Sequence, residues 1–184
     1  MSTKILKHID IDIWDPKSID RAIQEIYHVR DSLKKSVEDL IKQLALKDGV
    51  EIARAQVASM DAVDTGELYH GIYGEFRDGI GYVCALADNG EGKNYAVYVE
   101  FGTGYVGKGS SHPLASEVGW AYAIGETIHE DPRHPTWGPG WWYPGDDGKA
   151  HWTSGQPARP FMYNTLTVLM DMASERAKEI LFQQ

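Results

Sequence analysis

At 184 residues, 42% of them hydrophobic, the chain has ample material for a buried core, and its length suits one domain with room for a large insertion. The net charge of −9 argues against a basic surface that wraps nucleic acid, although an acidic wall would let DNA slide past without sticking. No apolar run approaches the roughly 18 residues of a membrane helix, and a single cysteine, Cys84, excludes an internal disulfide or a thiolate metal cluster.

Residues 1–15, MSTKILKHIDIDIWD, read as an extended arm in which charges separate the isoleucines. They lack the apolar centre of a signal peptide, so the chain is expected to be made in, and first to live in, a cytoplasm. Asp15–Pro16 opens a helical region, residues 16–60, with proline in the first turn. Ile19, Ile23, Ile26, Leu33, Val37, Leu40 and Leu44 recur at spacings of three and four, with Arg30 in the one missing slot. That stripe suits either a heptad seam with another copy or packing on the chain's own sheet, and the sheet's need for a cover favours the second. Lys47–Asp48–Gly49 marks a break or kink before Val50–Met60 resumes the pattern.

Residues 64–104 are predicted to form an antiparallel meander. Its first strand alternates through Leu68, Ile72 and Phe76. Asp78–Gly79 is a tight-turn signal, Ile80–Ala87 is the returning strand, and Cys84 takes a small apolar place in it. Tyr95–Phe101 alternates as a third strand, ended by Gly102 and Gly104. Residues 105–156 read as a long Gly- and Trp-rich loop holding five of the six tryptophans. Within it, Trp141–Tyr143 and Lys149–Thr153 form a hairpin around Pro144–Gly148. Residues 157–184 are the last helix, opened by Pro160 with a stripe through Met162, Leu166, Leu169, Ala173, Ala177 and Ile180. The expected fold class is therefore α+β: a meander packed against a long N-terminal helix and a C-terminal helix, with a loop-and-hairpin insertion.

Four constellations bear on chemistry. Gly102, Gly104 and Gly107 spell G-x-G-x-x-G after the third predicted strand, but Lys108–Pro113 is a poor helix opening and no βαβ unit surrounds it, so a nucleotide site is not expected. His129, Glu130, Asp131, His134, Asp146, Asp147 and His151 lie on predicted loops without metal-ligand spacing, so neither metal nor cofactor is expected. Ser110 and Ser111 adjoin His112 only in sequence, and Glu67 and Glu75 form no carboxylate pair, so no enzyme is expected. Trp120, Trp137, Trp141, Trp142, Tyr143 and Trp152 suit anchors for neighbouring subunits, with internal packing and sugar stacking as alternatives. Separately, Glu100 and Arg159 are candidates for an ion pair tying the third strand to the last helix.

Several stretches together resemble the gene-product-ten-like tail-component family of tailed bacteriophages. They are Asp64-Thr65-Gly66-Glu67-Leu68 and Tyr95-Ala96-Val97-Tyr98-Val99-Glu100-Phe101-Gly102-Thr103-Gly104, then Gly140-Trp141-Trp142-Tyr143, Asp147-Gly148-Lys149 and Trp152-Thr153, and finally Pro157-Ala158-Arg159-Pro160-Phe161-Met162. They stand in the family's order across about residues 48–184; the first 45 residues carry no matching motif.

The resemblance implies a structural protein of the virion neck or the top of the tail, assembled in the host cytoplasm, with no cofactor and no membrane contact. It implies a ring of copies, six by the family's habit, that meets neck, connector or tail-tube proteins while DNA passes without specific binding. Under it, Asp64–Gly66, Glu100–Gly104 and Pro157–Phe161 are architectural, and the long loop is an arm gripping the next copy. A carbohydrate- or cell-wall-binding module using the tryptophans of residues 120–152 is the alternative.

Overall fold

The computed structural model describes residues 9–60, 66–88, 94–122, 139–145 and 147–182, and is α+β. Helix α1 (Pro16–Gln43) passes through a π-helical turn (Leu44–Asp48) into α2 (Gly49–Ser59). A short α3 (Glu67–His70) precedes the hairpin β1 (Ile72–Arg77) and β2 (Ile80–Ala85). Two more short helices follow, α4 (Ala96–Phe101) and α5 (Gly104–Gly109), then a second hairpin, β3 (Trp141–Pro144) and β4 (Ala150–Thr153), and the final α6 (Phe161–Phe182).

The chain gathers into two compact units. The first holds α1, the π turn, the start of α2, the turn end of the β1–β2 hairpin (Gly74–Val83) and α6 from Leu166. The second holds α2 from Ile52, α3, the open end of that hairpin, α4, α5, β3, β4 and the start of α6.

In the first unit, α1 begins where Asp15 Oδ1 accepts the Lys17 amide at 3.0 Å, with Pro16 at the first helical position. The hairpin turn uses positive φ at Asp78 (55°) and Gly79 (81°), as a tight two-residue loop requires. The hairpin approaches α1 through glycines: a Cβ at Gly81 would stand 2.7 Å from Ala45 Cβ and 2.9 Å from Ile41 Cγ2. The expected break at Lys47–Asp48–Gly49 is the π turn, which continues into α2 without ending the helical path. Gly49 is fixed by packing, since a Cβ there would lie 2.5 Å from Val83 Cγ2 and 3.2 Å from Leu169 Cδ1. Arg176 Nη1 stands 2.8 Å from the buried Asp48 Oδ2, close but not aligned for a hydrogen bond.

The stripe of α1 departs from the expected cover by the sheet. Ile19, Ile23 and Ile26 are 46%, 42% and 54% exposed. The reason is length. A helix of 28 residues runs about 42 Å, whereas six-residue strands reach only about 20 Å. The hairpin meets the helical path near Ile41 and Ala45 and leaves Ile19, Ile23 and Ile26 exposed.

The second unit has a core of Ala53, Val57, Leu68, Ile72, Ala87, Ala96, Val99, Ala115 and Phe161. Arg54 secures α3 and β1 by donating from Nη2 to the Ile72 carbonyl (2.9 Å) and from Nε to the Tyr69 carbonyl (3.2 Å). Glu67, expected on a strand, begins the helical turn α3, and β1 starts only at Ile72.

The third strand of the meander is not formed, for Tyr95–Phe101 lies in α4. Alternation had placed Val99 and Glu100 on opposite faces, but the helix buries both with Ala96. Asn94 decides the matter locally, since its Oδ1 accepts the Ala96 amide (3.1 Å) and the Ala87 amide (3.0 Å), turning the chain into a helix. Gly102 then ends α4 at φ 75°, so the glycines do terminate the element, but the element is a helix.

The second predicted hairpin is present in antiparallel register, with Trp141 opposite Thr153 and Trp142 opposite Trp152. Helix α6 starts one residue after Pro160. Its first buried residues are Phe161 and Thr165, while Leu166 is exposed. The stripe therefore begins one position earlier than read, because the Thr165 hydroxyl satisfies itself on the Phe161 carbonyl (2.7 Å) and can face the core.

Candidate functional site

The second unit joins two distant stretches, Tyr98–Gly104 and Ser154–Tyr163, along one seam. Thr103 and Gln156 exchange backbone bonds: the Thr103 amide donates to Gln156 O (2.9 Å) and the Gln156 amide to Thr103 O (3.2 Å). The Arg159 amide donates to Val99 O (2.9 Å), and Gln156 Nε2 to Tyr98 O (3.2 Å). Gly102 allows this approach; a Cβ there would lie 2.6 Å from Ala158 N.

Glu100 sits at the centre. Its Oε2 accepts the Met162 amide (2.8 Å) and its Oε1 the Tyr163 amide (2.9 Å), so it caps the first turn of α6. Oε1 also lies 3.0 Å from His112 Nε2. His112 Nδ1 accepts the Leu114 amide (3.0 Å), which assigns the ring proton to Nε2 and makes that nitrogen the donor to Glu100. Three donors thus converge on one buried carboxylate. Aromatic rings wall it in: Phe101 stands 4.2 Å from His112 and 5.0 Å from Trp120 by ring centroid, and Tyr163 meets His112 edge-on at 5.4 Å.

The expected pair of Glu100 with Arg159 is absent. Arg159 donates through Nε to the Met60 carbonyl (3.1 Å) and through Nη1 to Gln156 Oε1 (3.4 Å). The stretches are tied as anticipated, but by backbone amides and His112, which supply what a guanidinium was expected to give.

This arrangement holds backbone in place and leaves little for proton transfer. Both ring nitrogens of His112 are engaged, so the imidazole has no free site with which to activate Ser110 or Ser111. A polar cleft of about 390 Å³ beside it is lined by Lys108, Ser111, His112, Ser116, Trp120 and Tyr122. The G-x-G-x-x-G stretch itself forms a short helix, α5, which begins at Gly104 inside the motif and ends at Gly109, so none opens at Lys108–Pro113, and a helix precedes the motif instead of a strand. Its amides are already spent: Gly102 on Tyr98 O, Gly104 on Tyr122 O and Gly107 on Thr103 O. They are not free to cradle a phosphate.

The tryptophans separate. Trp120 is half-buried, donates through Nε1 to Gly102 O (3.0 Å) and stacks on Phe101. Trp141 is half-buried beneath Gly104. Trp142 and Tyr143 are exposed on β3, where Trp142 meets Trp152 edge-on at 5.5 Å. Asp147 accepts from its own Lys149 amide (3.0 Å) and contacts His151 Nε2 (2.9 Å), closing the hairpin. The side-chain bond to His151, then the Lys149 amide, hold the Asp147 carboxyl below its usual value. Gly66 caps α3 at φ 83°. Thr103, Pro157, Ala158, Pro160 and Phe161 all lie in or beside the Glu100 seam, with Phe161 fully buried.

Asp64, Thr65, Trp137, His129, Glu130, Asp131, His134 and Asp146 lie outside the described residues. Among the described residues no three His, Cys, Asp or Glu side chains are grouped to hold a metal, and no helix is long and apolar enough to cross a membrane. Two features escaped the sequence reading. One is the partnership of His112 with Glu100. The other is Trp14, at 87% exposure the barest tryptophan described, whose only signal was its place in a charged arm. Comparison of the chain with family models, characterised proteins and solved structures finds no match.

Proposed function

We propose that this chain is a structural protein of a tailed-phage or prophage virion, forming a ring with copies of itself at the head–tail interface or the top of the tail. One observation carries the reading. Two of the motif stretches that carry the resemblance, Glu100–Gly104 and Pro157–Met162, meet at one seam whose polar groups are spent on holding backbone. A site of that kind suits architecture, and the role proposed is a non-enzymatic one. Exposed Trp142 and Tyr143 on β3 offer anchors for the next copy or for neck, connector or tail-tube proteins. A closed ring of copies would bring unlike patches together, and the net charge of −9 suits a wall past which DNA slides.

The test is electron microscopy of lysates from a phage or prophage with this gene deleted. Full heads lying apart from finished tails support head–tail joining, and tails of uncontrolled length support a role in ending the tail. Intact infectious particles remove the reading. The exposed Trp142–Tyr143 pair also favours a second reading, a carbohydrate-binding module. That reading predicts a change of tryptophan fluorescence with cell-wall sugars, which a neck protein would not show.

A further inference from the structure

We infer that the uncovered stripe of α1 is the seam of an antiparallel pair between two copies of this chain. The inference does not rest on the virion reading, and a purified sample tests it.

Within the first unit, the described neighbours of α1 leave the stripe open over its N-terminal half. The β1–β2 hairpin approaches at Ile41 and Ala45. The cleft shared with α6 is lined on α1 by Ser36, Asp39, Leu40 and Gln43. The described part of the arm, residues 9–15, lies on another flank: the Asp12 amide donates to Ser18 Oγ (2.8 Å), and Ser18 and Ala22 are buried while Ile19, Ile23 and Ile26 are not. Val37 is 42% exposed farther along the same stripe. A run of exposed isoleucines at heptad spacing, with exposed Val37 beyond Arg30 and half-buried Leu33, is the seam another helix covers.

Charge chooses the occupant and its direction. In a parallel, in-register pair, Arg30 would meet the Arg30 of the second copy inside the seam, setting two guanidinium groups against each other. An antiparallel pair centred near His28 sets the two Arg30 residues in adjacent layers instead of the same one. It sets Ile19 against Val37, Ile23 against Leu33 and Ile26 against the stem of Arg30. On the flank it brings Asp20 of one copy beside Lys34 of the other, and symmetry supplies that pair twice. Both residues are exposed. The helix is thus complementary to its own reverse, which is the requirement for a closed two-fold contact.

Sedimentation equilibrium of the full chain and its charge variants tests the pairing. The wild type should show a reversible monomer–dimer equilibrium. Asp20→Lys and Lys34→Asp should each raise the dimer Kd on the order of tenfold, by turning two weak attractions into repulsions, and the double swap should restore it. Because both positions are exposed, the swaps should leave helix content unchanged by circular dichroism. Tyr27→Cys, in a Cys84→Ser background, places a thiol near the two-fold axis and should give a disulfide-linked dimer on oxidation. A wild type monomeric even at millimolar concentration, an oligomer indifferent to the single swaps, or a double swap weaker than either single would each overturn the pairing.

Discussion

Glu100 and His112 face each other across 3.0 Å with side chains only 9% and 2% exposed, and the same carboxylate caps a helix that begins sixty-one residues later in the chain, at Phe161. The pair therefore fixes three segments at once: the end of α4, the loop after α5 and the first turn of α6. Removing the carboxylate strands two helix amides and an imidazole N–H in a dry setting. Glu100→Ala should cost about 3–5 kcal/mol, the range for breaking a buried charged hydrogen-bond set. Glu100→Gln, which keeps one acceptor oxygen, should cost about 1–3 kcal/mol. Urea unfolding midpoints check both, and a loss under about 0.5 kcal/mol for the alanine variant would show that the cap does not contribute.

The choice of partner is open to a separate measurement. Glu100 touches His112 directly, whereas its side chain makes no bond to Arg159. A double-mutant cycle of Glu100→Gln with His112→Phe should give a coupling of about 1 kcal/mol or more, while Glu100→Gln with Arg159→Lys should add to within about 0.5 kcal/mol. A strong coupling to Arg159 and none to His112 would reverse the assignment.

Elements governed by local chemistry were legible in the residues alone. Asp15–Pro16 starts α1, Asp78–Gly79 turns the first hairpin, and Trp141–Thr153 forms the second hairpin, although Pro144 pairs with Ala150 and so belongs to the strand instead of the turn. Tyr95–Phe101 was not legible, because its apolar residues fit both a two-residue and a helical period, and the choice falls to Asn94 and to what Val99 and Glu100 must bury. The partner of Glu100 was missed for a related reason. Backbone amides at a helix end are the donors, and no letter in the sequence marks them, whereas Arg159 advertises its charge. The exposed Ile19–Ile26 stripe of α1 reflects the short reach of β1 and β2 along a helix of 28 residues.

Two glycines of similar φ differ in what surrounds them and in backbone strain. Gly79 at φ 81° has nothing within 4 Å of a built Cβ, so Gly79→Ala should cost only the backbone strain, about 1 kcal/mol. Gly102 at φ 75° and ψ 169° lies in a region that essentially only glycine adopts, and a Cβ there would also stand 2.6 Å from Ala158 N and 2.9 Å from Gln156 O, which are backbone atoms with little freedom to move. Gly102→Ala should therefore lose at least about 3 kcal/mol and weaken the Glu100 cap with it. Thermal unfolding of the two variants side by side checks this; equal losses would mean that the seam yields.

The β3–β4 hairpin should respond to acid through Asp147. Its carboxyl is held below the ordinary 3.8, first by the side-chain bond with His151 and then by the Lys149 amide. A carboxyl whose folded value is depressed binds its proton more readily in the unfolded chain. Its contribution is thus fully present above about 3.8 and is lost as pH falls through the lower folded value. Asp147 is fully exposed, so solvent screening keeps the effect local to the hairpin. Carboxyl chemical shifts followed by NMR should show Asp147 titrating below 3.8, with the Trp152 and His151 signals broadening in the same window. In His151→Ala the midpoint should rise toward 3.8, because the leading cause has been removed while the Lys149 amide remains. An unmoved midpoint would assign the depression to the turn amides alone and leave His151 without a part in closing the hairpin.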